Sequence, residues 1–285
     1  MKTNSLKLSL LFASTLMYTA FTHAADTVVE NLNLPTVGIW SIEMNVDAGF
    51  LIVRGDSNVS EISVKAEIVD SPKDYVLTLK KSGAKAVLTT EIHNQQLVWF
   101  GNDYPRIDLT VTVPKSLPIK IKDGSGEIDI KDLSTSLTIE DGSGSILVRD
   151  LAGKLDIDDG SGSIEIAHVS GSVAIDDGSG SIDLSNVGGD VTIKDGSGSI
   201  DVRDIQGALT INDGSGGVSI QKVAGEVNIR DGSGSMKVAD IDGHVTIDDG
   251  SGGIDVTNVS DGLTINESGS GGLRMKNISG KIQTD

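Results

Sequence analysis

The chain contains no cysteine, which closes off disulfide frameworks, lipid attachment through cysteine and thiol chemistry. Its five prolines, Pro35, Pro72, Pro105, Pro114 and Pro118, all lie before residue 119, and so does every aromatic side chain. Proline removes a ladder donor and is confined to strand edges; a long proline-free stretch therefore suits strands that are hydrogen-bonded on both sides. Basic charge is scarce, with 23 Lys and Arg against 41 Asp and Glu, a formal net charge of −18. That balance argues against nucleic acid and anionic membrane surfaces as partners, since both repel the chain. No helical period competes with the β pattern anywhere after residue 25.

The one extended apolar run is Leu8 to Phe21, 14 residues, preceded by Lys2 and Lys7 and followed by Thr22-His23-Ala24. A bilayer span needs roughly 20 residues. The run therefore fits a secretory signal over residues 1–24, with Ala25 as the expected mature N-terminus.

Residues 25–118 form an N-terminal β-rich cap region in this reading. Short alternating runs recur at Trp40–Val46, Phe50–Arg54, Glu61–Val69, Tyr75–Lys80, Ala86–Ile92 and Ile107–Val113, separated by Gly, Asn, Asp and Pro. The expected arrangement is irregular and antiparallel, covering a strand edge and an apolar end that would otherwise pair with other chains. Trp99, Phe100 and Tyr104 could offer a sugar-stacking surface; the expectation is that they pack with Trp40 and Phe50 as the core of this region.

From residue 119 to 285 a single unit takes over. Asp-Gly-Ser-Gly begins at Asp123 and returns at Asp141, Asp159, Asp177, Asp195, Asp213, Asp231 and Asp249, always 18 residues apart. A stack of coils tolerates no change in path length per turn, so the constant period predicts an all-β solenoid, β-helix-like, of about nine 18-residue coils. In the coil Asp195–Asn212, counted from Asp195 as the first place, apolar residues fill places six, eight, eleven, fifteen and seventeen: Ile200, Val202, Ile205, Leu209 and Ile211. Pairs two apart face one way along a strand, so Asp201 and Thr210 between them face outward. The unit also halves, with Asp195 laid over Asp204 and Gly198 over Gly207. A lone coil cannot offset its own backbone entropy; stacking must supply the difference. The coil after Asp249 breaks step at Glu267–Gly272 with one extra residue, leaving that end as a candidate edge for docking or end-to-end self-association.

Several constellations are candidates for chemistry. The aspartate column either accepts backbone N–H bonds across its own corner or holds Ca²⁺. A calcium roll needs aspartate at the sixth place of each nine-residue half, where Ile200 and Leu209 stand here. An EF-hand fails too, because Asp156, Asp158 and Gly160 put glycine where the third ligand belongs. Paired carboxylates such as Asp158-Asp159, Asp176-Asp177 and Asp248-Asp249 suit polysaccharide cleavage in type, but they recur with the coil and single out no coil. His93, His168 and His244 show no metal spacing. The serines Ser125, Ser143 and Ser161 lack a base at fixed spacing, and no lysine or helix follows the Gly-Ser-Gly turns to hold phosphate. No catalytic, cofactor-binding or metal-ligating residue is assigned, and no cofactor is expected.

The segment Ile107-Asp-Leu-Thr-Val-Thr-Val-Pro-Lys-Ser-Leu-Pro-Ile-Lys-Ile-Lys-Asp-Gly-Ser-Gly-Glu-Ile-Asp-Ile130 leads into repeated Ser-Gly-x-Ile-x-Val units. It resembles the exported bacterial β-strand-repeat family named putative adhesins, over about residues 40–285. The resemblance implies a β-helix-like fold and an exported location, and it supplies no catalytic residues. The expected function is a non-catalytic exported rod, periplasmic or at the cell surface, that meets an unknown macromolecule, protein or glycan. A Ca²⁺-stabilised solenoid or a self-assembling envelope scaffold is the alternative, with a polysaccharide-active enzyme behind both.

Overall fold

A computed structural model describes residues 27–69, 74–93 and 105–284; residues 1–24, expected to be a signal, and the aromatic segment from Val98 to Tyr104 lie outside them. Every regular element among the described residues is a strand. The expected solenoid is present. Each coil carries one long strand, such as Gly198–Ile205, and one short strand, such as Leu209–Asp213. Each pairs in parallel with its counterpart one coil away, Ile200 opposite Ile182 and Val218, Ile211 opposite Ile193 and Ile229. Long strands stack into one sheet and short strands into a second, and the inward rows of both meet in one continuous apolar core.

The five apolar places are buried as their alternation predicts: Ile200, Val202, Ile205, Leu209 and Ile211 are each no more than 2% exposed. Asp201 and Thr210 face solvent. The two corners of the coil differ in backbone. At the first, Gly198 has φ of 150° and an added Cβ would lie 1.6 Å from the carbonyl oxygen of Gly180. At the second, the tenth place is left-handed without glycine: Asp132, Asp150, His168, Asn186, Asp204, Lys222, Asp240, Asn258 and Asn277 have φ between 55° and 64°. The half-coils that overlay in sequence are therefore not equivalent in conformation. Asp204 bends the chain, whereas Asp195 continues a strand.

At the N-terminal end the order of strands is β1 (Thr27–Pro35), β2 (Ser41–Ala48), β3 (Leu51–Asp56), β4 (Glu61–Val69), β5 (Tyr75–Ser82), β6 (Lys85–Ile92), β7 (Arg106–Pro114) and β8 (Ile119–Leu133). Antiparallel pairing joins β1 to β4, β4 to β7 and β5 to β6. The remaining ladders are parallel. β2 and β3 lie on the two halves of β8, and β6 and β7 lie on β2 and β3 in turn. Both sheets thus run without a break across residue 118. In the rung made by β2 and β3, Ile42, Met44, Leu51 and Val53 stand opposite Ile119, Ile121, Ile128 and Ile130. Gly49, with φ of 129°, stacks on Gly126 at the corner. The Arg54 guanidinium ties this rung to the next, donating to the Asp129 carboxylate at 3.1 Å and to its backbone carbonyl at 2.8 Å.

One expectation is overturned here. Trp40 is 77% exposed and Phe50 45% exposed, so neither belongs to the core. Ile39, Ile42, Met44 and Leu51 fill it instead, because the rung inherits the narrow cross-section of the coils it stacks on. Phe50 lies under the Arg106 guanidinium, 5.8 Å from its ring centre.

Candidate functional site: the aspartate column and the outward faces

The alternation that buries Leu209 and Ile211 carries on to Asp213, so the aspartate of each corner is the last inward residue of the short strand. Asp123, Asp141, Asp159, Asp177, Asp195, Asp213, Asp231 and Asp249 are all 8% exposed or less. They stand in register, Asp141 opposite Asp159, Asp159 opposite Asp177, Asp177 opposite Asp195 and so on along the sheet. From Asp141 onward each uses one oxygen in its own corner: the backbone N–H of Ser179 donates to Oδ1 of Asp177 at 3.1 Å, and Ser197 and Ser215 do the same for Asp195 and Asp213 at 3.1 Å. The expected Asx turn is therefore formed.

The other oxygen is not accounted for by that turn. Oδ2 of Asp141, Asp159, Asp177, Asp195, Asp213, Asp231 and Asp249 is buried without a hydrogen-bond partner, as are both oxygens of Asp123. Burial disfavours the charged form, and it is the largest cause of the upward shift at every member of the column. It pushes Asp123 up to about 7, with Asp141 and Asp47 adding repulsion and the nearby backbone N–H groups of Ser125 and Gly124 opposing it in part. Asp159, Asp177 and Asp213 rise to about 6. Asp141, Asp195, Asp231 and Asp249 shift the same way. Among the described residues no three His, Asp or Glu side chains converge to hold a metal ion. The sixth and fifteenth places, where a calcium roll would need carboxylates, are core.

The carboxylate pairs are split by the sheet. Asp159 and Asp177 point into the core while Asp158 and Asp176 point to solvent, so the two members of a pair cannot act together on one bond. His168 is exposed beside Asp150, 3.2 Å away. His244 bridges neighbouring coils, Nδ1 at 2.9 Å from the Asp261 carbonyl and Nε2 at 3.0 Å from the Thr264 hydroxyl. These contacts link coils, and His168 also lines an open depression with Asn186, Asp204 and Gln206.

The outward face of the short-strand sheet carries a feature that the sequence reading passed over. A shallow trough runs across Thr192, Lys194, Thr210, Asn212, Asn228 and Arg230. The eighteenth place is acidic earlier in the stack, at Glu140, Asp158 and Asp176, and acidic again at Asp248, which also lines the trough. The signal was available in that place alone, where Lys194, Asn212 and Arg230 interrupt the acidic column. Lys194 pairs with Asp176 at 3.3 Å, marking the junction.

A family description, Toastrack DUF4097, matches residues 40–239. The chain belongs to the Toastrack DUF4097 family. No curated protein matches it. Among solved structures, this Toastrack chain is similar over 91% of its length to a putative adhesin from Bacteroides fragilis NCTC 9343, with 12% identity, 97% of that chain covered and a TM-score of 0.34. A putative cell adhesion protein from Clostridium sporogenes ATCC 15579 gives 8% identity, 91% and 98% coverage and a TM-score of 0.30. A putative lipid binding protein from Parabacteroides distasonis ATCC 8503 gives 13% identity, 90% and 96% coverage and a TM-score of 0.28.

Proposed function

We propose that this Toastrack protein is a non-catalytic, exported interaction module, a stiff acidic rod that holds an extended face toward a protein or glycan partner at the cell surface or within the envelope. The observation that carries the reading is the uniformity of the coils. Their inward places are spent on packing and on one repeated turn, and the paired carboxylates are divided between core and solvent. A catalytic centre needs a local group in a perturbed setting within a cleft; here the perturbed groups are repeated in register along the sheet. What varies from coil to coil is the outward surface, above all the trough from Thr192 to Arg230. Export is supported by the basic, apolar and small-residue succession over residues 1–24.

Protease shaving of intact cells tests the reading. Loss of the protein from intact cells places it at the surface. Protection until the outer membrane is breached restricts the partner to the envelope, and recovery only from the cytoplasm sinks the proposal.

A further inference from the structure

We propose that the inward aspartate column, from Asp123 to Asp249, is a proton-binding ladder: neighbouring coils share a hydrogen bond from the carboxylic acid of one aspartate to the carboxylate of the next. Three observations carry it. The carboxyls stand in register on adjacent strands, a spacing of about 4.8 Å. Each residue is at least nine-tenths buried, and along the column from Asp141 onward one oxygen is taken by the corner while the other is buried with no partner. No lysine, arginine or histidine among the described residues bonds to a column carboxylate.

The groups facing the column are few. Above and below each carboxyl from Asp141 to Asp231 lies another carboxyl; at the ends Asp249 stands opposite Ser268 and Asp123 opposite Val46, with Asp47 of β2 adding its charge beside Asp123. Asp158 adds repulsion at Asp159 from the outward side. Across the core the facing rows are apolar, Ile200 and Val202 in the middle coil. Nothing in this set neutralises a file of negative charges. A proton taken from solvent hydronium at every second carboxyl does so, forming one O–H bond on the carboxyl and releasing water, with no change of oxidation state. It turns an orphaned acceptor into a donor, removes the repulsion between neighbours, and makes a charge-assisted bond in a weakly screened interior.

The direction of the pH effect follows from the raised proton affinities of the folded chain. An unfolded aspartate titrates near 3.9. The stabilisation from these groups is complete below that value and is lost as pH rises through about 6 for Asp159, Asp177 and Asp213 and about 7 for Asp123. Acidification from pH 8 toward pH 5 should therefore raise the melting temperature of the purified chain, by at least about 5 °C for a protein of this size. The double variant Asp177→Asn, Asp195→Asn should melt higher than the native chain at pH 8 and show a smaller acid response, because an amide donates without a proton to bind. Asp201→Asn, an outward site, controls for loss of net charge and should leave the response intact.

A melting temperature that stays flat or falls over this range overturns the proposal. So does an acid response that the double variant retains in full, or a rise with millimolar Ca²⁺ at pH 8 that matches the effect of acid, which would make the column a cation site. Should the variant fail to fold, carboxyl-carbon NMR titration of the native chain decides the matter. Aspartates titrating above about pH 5 support the ladder, and a chain whose aspartates all titrate below it does not have one.

Discussion

The N-terminal rungs and the regular coils use the same two sheets and the same core, yet they close their turns differently. A coil such as Asp195–Asn212 returns to its starting sheet within 18 residues by a glycine corner and a left-handed corner. The rung of β2 and β3 keeps the glycine corner at Gly49 but leaves the stack after β3, passing through β4 and β5 before β6 and β7 resume parallel pairing. Parallel stacking thus survives excursions between rungs, and it absorbs the one extra residue of the last coil as a register shift, with Asp249 opposite Ser268 and Ile254 opposite Leu273. Among the described residues β1 and β5 then end the two sheets, with β4 between β1 and β7.

The two regions should differ most at their glycines. Gly198→Ala places a Cβ 1.6 Å from the Gly180 carbonyl at φ of 150°, and the clash involves backbone held by the coil on the other side. A loss of about 3–5 kcal/mol is expected in urea denaturation. In the N-terminal region Gly83 also has positive φ, 62°, but an added Cβ there meets nothing within 4 Å. Gly83→Ala should cost only the left-handed backbone term, about 1–2 kcal/mol. Equal losses would mean that the coil corner is more compliant than its geometry shows.

The same contrast explains what could be foreseen. The column from Ile139 to Ile265 and the apolar places around it are repeated eight times, so sheet, register and core follow from periodicity. The presence of antiparallel strands in the N-terminal region was also legible in the alternating runs, though not that β4 pairs with β7 and β5 with β6. The parallel attachment of β2 and β3 was not, because the excursions between rungs erase the 18-residue spacing that would reveal it. The exposure of Trp40 was hidden for a related reason: an aromatic in a β-rich stretch is usually core, but this core is only as wide as its coils. Asp213 illustrates the opposite case. Extending the alternation Leu209, Ile211 by one more step predicts an inward carboxylate, whereas the corner motif drew attention to its role as a turn residue.

A smaller effect separates the regions by cooperativity. Ile211 and Leu88 are each buried to within 1% of completely, so Ile211→Ala and Leu88→Ala should each cost about 2–5 kcal/mol locally. In a linear stack each rung touches only its neighbours. Ile211→Ala should therefore weaken protection against hydrogen exchange on both sides of its coil. Leu88→Ala should loosen β6 and β2 while amides of the middle coils keep their native exchange rates. Matching exchange profiles for the two variants would show that the rod unfolds as one cooperative block.

The smallest effect is expected at Trp40, where the comparison is sharpest because sequence expectation and structure differ. With 77% of the residue exposed, its truncation removes little apolar burial and opens no cavity. The turn around it is held by backbone bonds, the Trp40 N–H donating to the Ala84 carbonyl at 2.7 Å and the Ile39 N–H to Thr36 at 2.9 Å. The Lys81 ammonium adds a bond to the Val37 carbonyl at 2.8 Å. None of these involves the indole. Trp40→Ala should change the unfolding free energy by no more than about 0.5 kcal/mol in urea denaturation. A loss several times larger would mean that the indole covers apolar surface of the cap, and would return this residue to the core that the sequence suggested.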